Sequence, residues 1–145
     1  MKNFFWALCL LPALGFASEF PCVHLKLKVK NQTQSVCHLI GIKADAGQVV
    51  GANINYLPIL IPVGQISDSV ALSENGSEGV DFSFTFECGE NKTITINAKK
   101  GLCRRNAIVE GAIYATNGLN ATFEESNGLY WGNQPGNIVW TLTDM

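Results

Sequence analysis

The sequence predicts an all-β fold, an antiparallel β-sandwich with a flattened β-barrel as the alternative. Three observations carry that expectation. Hydrophobic residues alternate with period two along most of the chain, turn-forming residues interrupt the runs at short intervals, and no helical pattern of useful length occurs.

The first run begins at Val23, where Val23, Leu25, Leu27 and Val29 alternate with His24, Lys26, Lys28 and Lys30. This is the pattern of a half-buried strand with a basic, wet face. The polar turn Asn31-Gln32-Thr33-Gln34 separates it from a second strand, Val36 to Lys43, and the two read as a hairpin. Further strands are expected at Gln48 to Asn53, Leu57 to Val63 and Ser67 to Leu72, with Gly47, Pro58, Pro62 and Gly64 marking turns or edges. The clearest strand is Val80 to Glu87, which sets Val80, Phe82, Phe84 and Phe86 on one face and so buries three aromatic rings. Cys88-Gly89-Glu90-Asn91 turns it into Lys92 to Ala98. Beyond the basic turn Lys99-Lys100-Gly101, strands are expected near Ala107 to Ala115, Leu119 to Glu124 and Asn137 to Thr143. The last points Ile138, Trp140 and Leu142 inward.

The start of the chain reads as a cleaved signal peptide over residues 1–17. Lys2 gives a short positive start, Phe4 to Leu14 is an apolar run too short to span a membrane, and Leu14-Gly15-Phe16-Ala17 places small residues for cleavage before Ser18. Cys9 leaves with the peptide. The remaining 128 of 145 residues, 18–145, suit one domain with one core. In that mature chain 9 basic residues face 12 acidic ones, for a net charge of −3, and no nucleic-acid partner is expected. No later segment has the length of a transmembrane helix. A secreted chain is expected, with a periplasmic one as the alternative.

Four cysteines remain, and an even number in an exported chain reads as a disulfide framework. Their spacing lacks the close pairs of a zinc site, so no metal or other cofactor is expected. If the first two strands form a hairpin, Cys22 and Cys37 lie at opposite ends of it, on the order of 20 Å apart and out of bonding reach. Cys88 and Cys103 likewise flank a whole strand. Cys37 with Cys88 and Cys22 with Cys103 is therefore the favoured pairing, against the two local pairs and the third connectivity.

Catalysis finds little footing in these residues. The mature chain holds two histidines, His24 on the wet face of the first strand and His38 sharing an inward face with Val36 and Ile40, and neither sits in a recognisable motif. Glu74, Glu78, Asp81, Glu87, Glu90, Glu110, Glu124 and Glu125 include enough carboxylates for a glycosidase pair, but spacing does not choose one. A non-enzymatic protein is expected, with a small secreted hydrolase using a carboxylate or His38 site as the alternative.

Three features suit binding. Lys26, Lys28 and Lys30, joined by Lys43 from the neighbouring strand, form a basic ladder suited to acidic glycans or phospholipid headgroups, or to guarding a sheet edge. Lys99, Lys100, Arg104 and Arg105 cluster around Cys103 in a turn whose charges suit solvent, or where a disulfide would hold the two arginines for a phosphate or carboxylate. The segment Asn127 to Gly136 sets Tyr130 and Trp131 among turn formers and the amides of Asn133 and Gln134, a composition that stacks on sugar rings or sits at a lipid interface. The alternative there is a short strand with one ring in the core. Sequons at Asn31, Asn75, Asn91 and Asn120 would lie on surface turns.

The pattern Val29-x-Asn31, Cys37, Phe84-x-Phe86-x-Cys88-Gly89, Cys103 and Pro135-Gly136-Asn137-Ile138-x-Trp140 resembles small β-sandwich proteins exported by intracellular Gram-negative pathogens, often by type II secretion. The resemblance covers most of the mature chain, brings no catalytic motif, and implies an accessory, virulence-associated protein. In size, acidity and sandwich character the chain is also similar to aegerolysins, which bind membrane lipids, although those usually lack a signal peptide and two disulfides. Chaperone-usher pilins do not fit, because neither a donor-strand extension nor a penultimate tyrosine is present. The expected role is a binding module that contacts a glycan, a lipid headgroup or a host or extracellular protein.

Overall fold

The computed structural model describes residues 20–50, 60–105 and 107–145. The expected signal peptide and its cleavage site lie outside the described residues, as do parts of the strands expected at Gln48 to Asn53 and Leu57 to Val63. A short 3-10 turn, Pro21–Val23, precedes ten strands: β1 His24–Asn31, β2 Cys37–Ala46, β3 Gln48–Val49, β4 Leu60–Ile61, β5 Val70–Ser73, β6 Val80–Cys88, β7 Thr93–Lys100, β8 Val109–Asn117, β9 Leu119–Ser126 and β10 Gly136–Asp144. They form two five-stranded sheets, β3-β5-β1-β10-β9 and β4-β2-β6-β7-β8, stacked as a sandwich that does not close into a barrel.

Alternation decides which residues meet between the sheets. From the first sheet Leu25, Leu27, Val29, Ile138, Trp140 and Leu142 are buried, and from the second Phe82, Phe84, Phe86, Ile94, Ile96 and Ala98 join them in one cluster. The three phenylalanines expected on one face of β6 are there, with the rings of Phe82 and Phe84 6.1 Å apart. Burying each such ring stabilises the fold by roughly 1.5–3 kcal/mol.

The expected first hairpin does not form. β1 pairs with β5 and, in parallel, with β10, whereas β2 pairs with β4 and β6 in the other sheet. The turn after β1 carries the chain across the sandwich rather than back along the same sheet. Asn31 explains why: its side-chain amide donates to the carbonyls of Ser35 and Ile61, each at 2.8 Å, and its Oδ1 accepts from the Thr33 backbone N–H at 2.9 Å. An amide that reads as a turn former is a fully buried clamp, so the sequon at Asn31 is not on the surface, unlike those at Asn75, Asn91 and Asn120. The β1–β10 pair also makes the first sheet mixed rather than wholly antiparallel. A parallel pair needs a long connection; here most of the chain supplies it.

The favoured disulfides are present. Cys37 and Cys88 face each other across β2 and β6, and Cys22 joins Cys103 over a separation of 81 residues. Such bonds persist in oxidising compartments. Other details change. His38 is exposed, not inward, and Val36 and Ile40 beside it are exposed as well; a bulge between Leu39 and Gly41 shifts the register of β2 there. Lys43 lies in the opposite sheet from Lys26, Lys28 and Lys30 and pairs instead with Asp45 at 2.8 Å.

Candidate functional site

One end of the sandwich gathers four segments. β1 and β10 both start there, because they run parallel, and β5, β7 and β9 end there. The segments are therefore residues 20–23 before β1, 74–79 between β5 and β6, 101–108 between β7 and β8, and 127–135 between β9 and β10. They bring together two features that lie about 25 residues apart in the chain: the Arg104-Arg105 turn and the Tyr130-Trp131 loop.

The loop is built as a tight tip. Leu129 and Gln134 exchange backbone hydrogen bonds at 3.0 Å in each direction, and the Asn133 N–H donates to the Tyr130 carbonyl at 3.2 Å. Asn133 takes a left-handed φ of 47°, which Asn tolerates better than most residues. Trp131 is carried outward until it is 96% exposed, and the Tyr130 ring meets it edge-on with centroids 5.2 Å apart. Neither ring is in the core.

Tyr130, Arg104 and Arg105 stand between two recesses. On one side a cleft of about 510 Å³ is lined by Phe20, Val23, Leu102, Glu74, Gly76 and Cys103 together with those three residues. On the other, a shallower recess of about 410 Å³ adds Ile108, Leu129 and Trp131. The end face thus offers exposed apolar side chains, Phe20, Ile108, Leu129 and Trp131, around two exposed guanidiniums. Asn133 lines neither recess and serves the turn.

What holds these loops is an ion pair between two residues whose sequence positions suggest solvated turns. Glu74, at the end of β5, accepts a hydrogen bond at 2.5 Å from the Lys100 ammonium of the facing sheet and another at 2.6 Å from the Cys103 backbone N–H. Lys99 and Lys100, expected in a basic turn, instead end β7; the Lys100 side chain, following the inward parity of that strand, is fully buried and also donates to the Gly101 carbonyl at 2.8 Å. The Cys22–Cys103 bond then ties this turn to the start of the chain. On the far side Asn127 Oδ1 accepts from the Val109 N–H at 2.8 Å, and the Gly128 N–H donates to the Ala107 carbonyl at 2.9 Å. The signal for the ion pair is parity: Val70 and Leu72 point inward and Glu74 follows two residues on, as Lys100 follows Ile94, Ile96 and Ala98.

Of the carboxylates considered from the sequence, only Glu74 lines the cleft, and Lys100 engages it. His38 lies on β2, and no histidine lines either recess. Among the described residues no three His, Cys, Asp or Glu side chains are grouped to hold a metal.

No family model matches the chain, and no curated protein matches it. Solved structures do. The chain is similar in fold to the lipid-binding protein Nakanori, with a TM-score of 0.65 and 11% identity over 83% of this chain and 70% of that one. It is similar also to RahU protein, solved with a TRIS molecule, at a TM-score of 0.59 and 15% identity over 86% of this chain and 97% of that one. IP-1A from Alcaligenes faecalis superposes with a TM-score of 0.52 and 13% identity, covering 86% and 92% of the respective chains. At these identities the likeness is one of fold.

Proposed function

We propose that the chain is a secreted, non-enzymatic lipid-binding module that meets a phospholipid surface end-on, through the Tyr130-Trp131 loop and the Arg104-Arg105 turn. The observation that carries this reading is the almost complete exposure of Trp131 beside two exposed guanidiniums. A bare indole is costly in water and favourable at the membrane interface, where Trp and Tyr rings settle at headgroup level. Guanidiniums match phosphate oxygens bidentately. Phe20, Ile108 and Leu129 supply further apolar surface on the same face, and the similarity in fold to a protein described as lipid-binding agrees with this use.

Co-sedimentation with vesicles of phosphatidylcholine, phosphatidylethanolamine and phosphatidylglycerol tests the reading. The mature chain has two tryptophans, and Trp140 is buried, so a blue shift of emission on vesicle addition reports Trp131. Trp131→Ala and Arg104→Ala/Arg105→Ala are expected to weaken binding at least tenfold, about 1.4 kcal/mol, while leaving the melting temperature near that of the parent. Vesicle binding unchanged in both variants would overturn the proposal, and retention on a glycan panel without vesicle binding would redirect it to sugars.

A further inference from the structure

We propose that the outer face of the first sheet is a second binding surface, independent of the loop end, for a linear sulfated polysaccharide that lies along Lys26, Lys28 and Lys30. Alternation along β1 puts all three ammoniums on the face away from the core, with Lys26 and Lys28 exposed and Lys30 half-buried. At a strand rise of about 3.3 Å per residue the row is straight and spans roughly 13 Å.

A guard against edge-to-edge pairing is the ordinary reason for lysines in a strand. That reason does not apply here. β1 is the third of five strands, paired with β10 over Leu25–Asn31 and, on its other side, with β5 over His24–Leu27 and then with the 65–67 segment, which bonds to Val29 and Asn31 and bridges Lys30 through Ile66. Lysine is also poorly suited to a central strand, and three like charges in file repel one another.

The described side chains that register beside the three lysines are uncharged. Beside Lys26 stand Ala71 and Asn137, beside Lys28 stands Val139, and beside Lys30 stand Thr141 and Ile66. One strand further out the same rows hold Ser126, Glu124 and Thr122, so Glu124 lies about 10 Å from the Lys28 strand. None of the three lysines has an ion-pair partner among the described residues. A row of unpaired cations with uncharged side chains immediately beside it suits an extended polyanion. The row climbs away from the loop end, because β1 starts there, and a bilayer seated across that end would meet it only at its lower margin. A chain-like anion can follow it whole.

The test uses the oxidised mature chain on immobilised heparin with a salt gradient, and titration with a heparin oligosaccharide at several salt concentrations. The parent is expected to be retained at low salt and released as salt rises, with a steep dependence of affinity on salt. Lys26→Ser/Lys28→Ser/Lys30→Ser should pass through, and its log-affinity against log-salt slope should fall by roughly two to three, as released counterions require. The triple Arg variant should be retained, and Trp131→Ala should bind heparin like the parent whatever it does to vesicles. Should the triple Ser variant fail to fold, Lys28→Glu alone is expected to lower the eluting salt markedly. Free passage of the parent at low salt, or elution of a folded triple Ser variant with the parent, overturns the proposal. So does loss of binding to phosphatidylglycerol vesicles in the triple variant with heparin retention intact, which would assign the face to the membrane.

Discussion

Replacing Glu74 by Ala removes one carboxylate but exposes a larger liability. Lys100 has no exposed side-chain surface and two acceptors, Glu74 Oε1 and the Gly101 carbonyl. Without Glu74 the ammonium keeps one acceptor and no counter-charge, and the Cys103 N–H loses its partner at the same time. Breaking a buried pair from one side costs about 3–5 kcal/mol, a large share of the 5–15 kcal/mol typical of a domain. At a urea m-value of about 2 kcal/mol/M the midpoint should fall by roughly 2 M. Lys100→Met should cost less, because the Glu74 side chain keeps 11% exposure to the cleft and the bond from Cys103. The double variant Glu74→Leu/Lys100→Met should recover much of the loss, since an apolar pair of similar volume often replaces a buried ion pair without penalty. Urea unfolding at pH 7 without reductant, followed by tryptophan emission, measures the parent and the three variants. A Glu74→Ala midpoint within about 0.5 M of the parent, equivalent to about 1 kcal/mol at that slope, would refute the reasoning, as would a double variant less stable than Glu74→Ala.

Three further outcomes are expected. Asp144 is held below the usual carboxylate range, first by the hydrogen bond from the Lys92 ammonium and then by the Gln34 backbone N–H. A depressed carboxyl contributes stability above its unfolded range and loses it as pH falls through the folded value; urea midpoints of the parent and Asp144→Asn should therefore differ at neutral pH and converge in acid. A Cβ on Gly111 would stand 2.8 Å from the Trp140 ring and 3.0 Å from Phe123, so Gly111→Ala should lower stability by about 1–3 kcal/mol, read as a fall in melting temperature. Removing the Cys22–Cys103 bond opens a closure of 81 residues, worth about 4.5 kcal/mol by loop entropy; Cys22→Ala/Cys103→Ala should unfold at lower urea and bind vesicles more weakly, because the Arg104-Arg105 turn loses its tether.

Strand existence was legible because period two is a local property. β1, β6, β7 and β10 each declare their inner face within eight or nine residues, and the three phenylalanines of β6 and Trp140 of β10 are buried as the alternation requires. Pairing was not legible, since alternation says which face is wet but not which sheet a strand joins. Asn31 shows the difficulty: in the sequence it resembles any turn asparagine, and its bonds to Thr33 and Ser35 are what such a turn would make; only the donation to the distant Ile61 carbonyl reveals that it helps send β2 into the other sheet. The favoured disulfides nevertheless emerged from a hairpin that does not exist, because strands in opposite sheets separate Cys22 from Cys37 as effectively as a hairpin's length would. Tyr130, Trp131, Arg104 and Arg105 stood out by composition, yet nothing local says that the two segments share an end. Parity at Glu74 and Lys100 was readable and points to the pair that anchors them.

The parallel alignment of β1 with β10 has a mechanical side. Residue 20 lies at the loop end and Met145 at the other, so tension applied between them draws β10 lengthwise past both neighbours. Seven register pairs with β1 and eight with β9 then bear the load together instead of opening one by one. Single-molecule pulling along this axis should give one high-force rupture, whereas peeling the edge strand β9 sideways from β10 should unzip that ladder at low force. A protein seated by its loops and tugged from its far end would resist along its strongest direction.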